Sequence, residues 1–96
     1  MERVFEWDDD KAATNYRKHG VRFEEAVLVF EDPLAVSEQD RIENGERRWR
    51  TLGMVGDFLL LLVAHTVRVE EGDCEVVRIV SARRADRKER TRYELG

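Results

Sequence analysis

Apolar positions in the front third of the chain recur at helical spacing. Ala12, Ala13, Tyr16 and His19 fall near one stripe, behind the run Trp7-Asp8-Asp9-Asp10, whose aspartates suit a helix N-terminus. Lys18 and His19 sit where a helix favours cations, and Gly20 can take the left-handed conformation that stops it. Phe23, Ala26, Val27 and Phe30 then fall at i, i+3, i+4 and i+7, which predicts a second helix ended by Asp32-Pro33. The two helices read as a short αα-hairpin.

From Leu34 onward the period shortens to that of strands. Leu34 to Glu38 predicts a first strand, and the polar stretch Gln39 to Glu46, with Asn44-Gly45, a loop. Arg47 to Leu52 predicts a second strand, Gly53 to Asp57 a turn, and Phe58 to Thr66 a third, central strand. Val69 to Asp73 turns again before a fourth strand, Glu75 to Ser81. Connections this short suit an antiparallel meander. Asp86-Arg87-Lys88-Glu89 has capping-box spacing, so a last helix should run from near Arg87 to about Leu95, anchored by Tyr93 and Leu95. The expected fold class is α+β: two N-terminal helices, a four-stranded antiparallel sheet and a C-terminal helix, in one domain spanning residues 1–96.

Composition narrows the class. The chain is 42% apolar, enough for a thin core, and 40% charged with a mean hydropathy of −0.60, which predicts solubility. No apolar run approaches the ~20 residues that cross a bilayer, and the N-terminus has no secretory-signal pattern. A single cysteine, Cys74, excludes an internal disulfide and favours a reducing cytoplasm. Its neighbours Asp73 and Glu75 would raise the thiol's pKa, which makes Cys74 a poor nucleophile.

Charge changes the picture more. Residues 1–46 carry 13 acidic and 6 basic side chains, whereas residues 47–96 carry 8 acidic and 11 basic. Six arginines and a lysine lie between Arg78 and Arg92, although the whole chain has a net charge of −4. Such asymmetry suggests a local surface for a polyanion or an acidic partner. The plainer alternative is an arginine face solvated and paired with carboxylates of the same chain.

Alternation sharpens the choice. On the fourth strand Val77, Ile79 and Ser81 should share one face, with Val76, Arg78 and Val80 on the other. An arginine in mid-strand among apolar residues needs a partner: either a carboxylate, or a phosphate on the floor of a groove. Arg48 and Arg50 share a face of the second strand, with Arg47 and Trp49 on the other; His65 ends the third strand and Arg68 follows it, and Arg83 and Arg84 follow the fourth. These groups could converge on one cleft, where planar guanidinium forks suit phosphate. Only two histidines, His19 and His65, are present, without HExxH or CxxC spacing, and there is no Walker loop or GxSxG. The sequence therefore predicts no metal and no cofactor. Catalysis, if present, would be attack of an RNA 2′-hydroxyl on its own phosphate, needing a base, an acid and cations. His65, Tyr93 and the arginines are the candidates, although a strand-end histidine is as readily a bonded structural group.

Five stretches carry a family resemblance: FEWDDDKAATNYRKHGVRFEEA, VFEDPLAV, ERRWRTLG, LLLLVAHTVR and VRIVSARRADRKERTRYE. In this order, over nearly the whole chain, they resemble the BrnT toxins of type II BrnT–BrnA toxin–antitoxin systems. The resemblance implies a RelE-like fold, a ribonuclease that inhibits translation, and a BrnA-like ribbon-helix-helix antitoxin in a hetero-oligomer, with DNA reached only through that antitoxin. Lys11, Lys18 and His19 match the opening motif, Arg48 and Arg68 the middle, and Arg78, Ser81, Arg83, Glu89, Arg90 and Tyr93 the ending. Asp86 departs from the Ser or Thr expected there but caps equally well. The expected catalytic set is Arg48, His65, Arg78, Arg83 and Tyr93. Lys11, Lys18, His19, Arg50, Arg68, Arg84, Arg87 and Arg90 are expected to bind RNA phosphates. The alternative function is a non-enzymatic module that holds an antitoxin or DNA through its basic end.

Overall fold

A computed structural model describes residues 2–96. The elements run β1 (Arg3–Glu6), α1 (Asp9–His19), α2 (Phe23–Ala26), β2 (Val36–Glu43), β3 (Glu46–Val55), β4 (Leu59–Glu70), β5 (Cys74–Arg84) and α3 (Arg87–Leu95). The sheet order is β1-β5-β4-β3-β2. β2 to β5 form the expected antiparallel meander, while β1 adds a parallel edge beside β5, with Phe5 opposite Val77 and Glu6 opposite Arg78.

Several expectations need correction. The sheet has five strands and is mixed. The second helix is one α-turn that tightens into a 3-10 segment, Val27–Glu31. The presumed loop Gln39–Glu46 is mostly strand, because β2 and β3 close directly on a two-residue turn, Asn44 and Gly45, with φ of 53° and 79°. Gly53 lies within β3 rather than in a turn: a Cβ there would stand 2.5 Å from Val29 Cγ1, so the 3-10 segment crosses β3 where no side chain intervenes.

The core lies on the helix side of the sheet. Phe23, Ala26 and Val29 cover Leu61, Val63, Val77, Ile79 and Ala82, with Phe5 and Trp7 at the margin. Trp7 meets the Phe23 ring edge-on at 5.9 Å. Ser81 does not continue the Val77–Ile79 face as alternation predicts. The β4–β5 register shifts between Ala64 and His65, leaving Val80 as an extra residue on β5, and Ala82 takes the inward place. Beyond β1, the edge of β5 is covered by buried Asn15 of α1. Its amide donates to the Ala82 carbonyl at 2.8 Å and accepts from the Ala82 N–H at 3.0 Å, as a neighbouring strand would.

Both long helices begin as the sequence predicts. Asp8 accepts from the backbone N–H groups of Asp10 and Lys11, and α1 ends at Gly20 with φ 69°. Asp86 and Glu89 exchange the two bonds of a capping box. Yet α3 buries no residue. It lies over the opposite face of the sheet, where polar ties hold it: Glu89 to Arg83, Arg92 to Glu38, and the Tyr93 hydroxyl to Asp32.

Candidate functional site

The face away from α1 and α2 carries the arginines in register. In one row across the sheet stand Glu6, Arg78, Thr66 and Arg48; in the next, Ser81, Ala64, Arg50 and Glu38; in the third, Arg83, Leu62, Leu52 and Val36. Strand alternation puts Arg48, Arg50 and Arg78 there. The bulge at Val80 does the rest, because without that extra residue Ser81 and Arg83 would share the inward face of Val77 and Ile79.

Each of these arginines has a carboxylate of the same chain beside it. Arg78 donates to Glu6 at 2.8 Å, Arg50 to Glu38 at 2.9 Å, and Arg83 grips Glu89 through two bonds of 2.8 and 2.9 Å. Arg48 stands 3.7 Å from Glu43. The Nε groups of Arg48 and Arg50 are shielded yet have no acceptor among the described residues. Hydrogen bonds from Arg68 and Arg78 hold the Glu6 carboxyl down at about 2. The Arg83 bond likewise lowers Glu89, and Glu89 raises Arg83. Glu43 is lowered chiefly by Arg41, then by the charges of Arg48 and Arg41, with a smaller pull from Lys11. Most of these pairs remain partly exposed, so water screens them and another anion can exchange into them.

The other candidates are placed as follows. Arg68 joins the group, donating to both oxygens of Glu6. Lys11, Lys18 and His19 line a separate groove between α1 and Ser81, beside the stretch of β5 that Asn15 covers. Arg84, Arg87 and Arg90 are exposed and take no part in the ion pairs among the described residues. Tyr93 faces Asp32 at the end of the sheet, its hydroxyl donating at 2.5 Å, and that bond raises its pKa. His65 lies on the helix side, 4% exposed. Its Nε2 is 2.8 Å from Thr51 Oγ1, its ring meets Phe30 edge-on, and burial pushes its pKa down to about 4. The geometry thus brings together Arg48, Arg50, Arg68, Arg78 and Arg83, and separates them from His65 and from the Tyr93 hydroxyl. For Cys74, burial comes first in raising the thiol, with Glu2 and Glu70 adding to it.

Sequence reasoning missed the partners. Glu6 lies on a strand too short to show a pattern, 72 positions from Arg78. Arg78 in mid-strand signalled that a partner was required but not which acid it was. Among the described residues no cluster of three or more metal-ligating side chains occurs, and no helix is long and apolar enough to cross a membrane.

Comparison with known proteins agrees with this architecture. A search of curated proteins finds no match. The crystal structure of the Brucella abortus ribonuclease toxin BrnT superimposes with a TM-score of 0.61 at 23% identity, covering 91% of this chain and 100% of that one, a likeness of fold. The family model described as ribonuclease toxin, BrnT, of type II toxin-antitoxin system matches residues 7–89. With most of its length matched, this chain belongs to the BrnT family of ribonuclease toxins of type II toxin–antitoxin systems.

Proposed function

We propose that the chain is a metal-independent endoribonuclease whose active surface is the arginine-bearing face. The observation that carries this reading is the row structure itself: Arg48 and Arg50 on β3 and Arg78 and Arg83 on β5 flank β4 on one face, without apolar cover. An RNA 2′-hydroxyl attacking its neighbouring phosphate builds negative charge on the non-bridging oxygens. Fixed guanidiniums stabilise that charge most where water is partly excluded. Arg48 and Arg50 contribute positive charge to this face, and Arg78 and Arg83 exchange a carboxylate for a phosphate. Glu89 positions Arg83, since one carboxylate both closes the capping box and holds both arms of the guanidinium. Lys11 and the α1 groove with Lys18 and His19 extend the positive surface along the RNA backbone. The buried setting of His65 favours a structural role for it in the helix-side packing. Tyr93, bound to Asp32, fastens α3 over the sheet.

The antitoxin of this system is, in this reading, a BrnA-like ribbon-helix-helix protein whose acidic surface covers the same arginines in a cytoplasmic hetero-oligomer. DNA is reached through it alone. The test is cleavage of RNA by the purified chain in EDTA, with and without ribosomes. Wild-type cleavage in EDTA, lost in Arg78→Ala and Arg83→Ala with unchanged circular dichroism, is expected. Cleavage that requires an added divalent ion, or that survives intact in both variants, would overturn the assignment.

A further inference from the structure

Between the arginines of β3 and those of β5, the middle strand of the sheet carries small side chains. Thr66 stands between Arg78 and Arg48 in one row, and Ala64 between Ser81 and Arg50 in the next. The flanking guanidiniums turn away from this strip, towards carboxylates beyond it. Arg78 bonds Glu6 on β1 at 2.8 Å, Arg50 bonds Glu38 on β2 at 2.9 Å, and Arg48 stands 3.7 Å from Glu43, also on β2. The strip ends at the third row, where Leu62 and α3 border a common cavity.

Two observations make this strip a seat for a ligand. Ala64 belongs to the central strand yet is only half-buried, so the strip is open to solvent there. Thr66 is 7% exposed, and its hydroxyl has no hydrogen-bond partner among the described residues. The buried hydroxyl of Thr51, on the helix side, is by contrast bonded to both Ser37 and His65. Buried hydroxyls are ordinarily bonded, so one without a partner, set between two guanidiniums, points to an acceptor supplied from outside. Thr66 also borders a cleft of about 520 Å³ together with Arg68 and Arg78, which gives such an acceptor a way in. β3 and β5 stand about 10 Å apart across β4, so guanidiniums from both sides can close on one phosphate.

We propose that Thr66 is a further catalytic residue: the reacting phosphate of the RNA sits over Thr66 and Ala64 and accepts a hydrogen bond from the Thr66 hydroxyl, with Arg48 and Arg78 on either side. The inference rests on the RNA-cleaving reading of this face and deepens it by placing the phosphate on the middle strand. As the 2′-hydroxyl attacks, charge grows on the non-bridging oxygens, and a fixed donor between two cations gains strength with it. The hydroxyl therefore acts on the chemical step more than on binding. Ala64 matters for its size, since a larger side chain would lift the phosphate away from the Thr66 hydroxyl without changing any charge.

The experiment measures kcat and KM on a short single-stranded RNA for the wild type, Thr66→Val, Thr66→Ser, Ala64→Val and Ala64→Leu. Arg78→Ala serves as the reference for a lost cation, and thermal unfolding as the folding control. Thr66→Val keeps the branched shape and removes the donor; kcat should fall about 10²-fold with KM little changed. Thr66→Ser should restore most of that loss. Cleavage should fall from Ala64→Val to Ala64→Leu, by about 10²-fold in the latter, as the phosphate is displaced. Wild-type kcat in Thr66→Val, a loss there that Thr66→Ser does not restore, or full cleavage by Ala64→Leu would overturn the placement, while an inactive Arg78→Ala would leave the RNA reading standing. A wild type that cleaves no RNA would remove both. If Ala64→Leu does not fold, Ala64→Val and the two Thr66 variants still decide.

Discussion

The two faces of this sheet are made from the same strands and are held in opposite ways. On the helix side, Leu61, Val63, Val77 and Ile79 are closed off by Phe23, Ala26 and Val29, and His65, an ionisable group enclosed there, is kept neutral by burial. On the other side, Arg48, Arg50, Arg78 and Arg83 lie under no apolar layer, and α3 is tied down through carboxylates. Apolar burial is worth about 25 cal/mol per Å² and leaves little freedom. Partly exposed ion pairs are worth about 0–1 kcal/mol each and can be exchanged for another anion. One step along a strand therefore moves a substitution from stability to chemistry.

The comparison breaks if neighbouring residues on opposite faces behave alike. Leu61→Ala should cost about 2–5 kcal/mol of stability by emptying a closed core position. Arg78→Ala should change stability by no more than about 1 kcal/mol, since Arg68 still holds Glu6, while lowering RNA cleavage by roughly 10²–10³-fold. Chemical denaturation beside cleavage rates checks both. An Arg78→Ala protein as unstable as Leu61→Ala would mean that the arginine face is part of the fold's support.

Acid separates the faces next. The imidazole of His65 has a folded pKa of about 4, below its ordinary 6.5. Between those values the unfolded chain takes up a proton and the folded chain does not. The stability due to neutral His65 is thus complete above pH 6.5 and is lost as the pH falls towards 4, on the order of 3 kcal/mol in all. The groups facing it are Thr51, Phe30, Arg3 and Glu75. On the other face Glu6 has its pKa lowered from 4.5 to about 2, so its contribution survives until the pH drops below 4.5 and disappears towards 2. Urea midpoints measured from pH 7 to 3 should fall first through the His65 window. His65→Gln should flatten that part of the curve and leave the lower part intact.

These differences explain what the sequence could reveal. Helix starts were legible because Asp8 and Asp86 act on backbone groups two and three residues away. The central strands were legible because β4 is buried on the helix side with an unmistakable apolar run. β1 was not, since four residues carry no period and their partner strand is about 70 positions distant. β2 was cut short because an edge strand with few buried residues keeps polar side chains on both faces. For the site, parity marked Arg48, Arg50 and Arg78. His65 misled because strand-end position was weighed above its own alternation with Leu61 and Val63, which places it inward. The bulge that turns Arg83 outward has no local signature.

Gly53 tests how closely the helix side is packed. An added methyl meets Val29 Cγ1 at 2.5 Å and the Val29 carbonyl oxygen at 2.8 Å, so the 3-10 segment has to move. Gly53→Ala should cost about 1–3 kcal/mol. Thermal unfolding would detect it, and an unchanged melting temperature would show that the helix layer slides freely over the sheet. RNA cleavage at a temperature where the variant stays folded should be near wild type, since the segment presses on the face away from the arginines.

The smallest effect is the most informative about the open face. Glu6→Gln keeps the shape of the side chain and removes the charge that Arg68 and Arg78 share. Its cost in stability should lie within about 1 kcal/mol, because both arginines reach water. If Glu6 occupies a phosphate position, RNA must break its bonds before binding, and the variant binds a few-fold more tightly at equal salt. If Glu6 instead aims the two guanidiniums at the RNA, the variant binds more weakly. The sign of the change in affinity, measured over a salt titration so that general charge effects can be subtracted, distinguishes a carboxylate that competes with substrate from one that prepares the site for it.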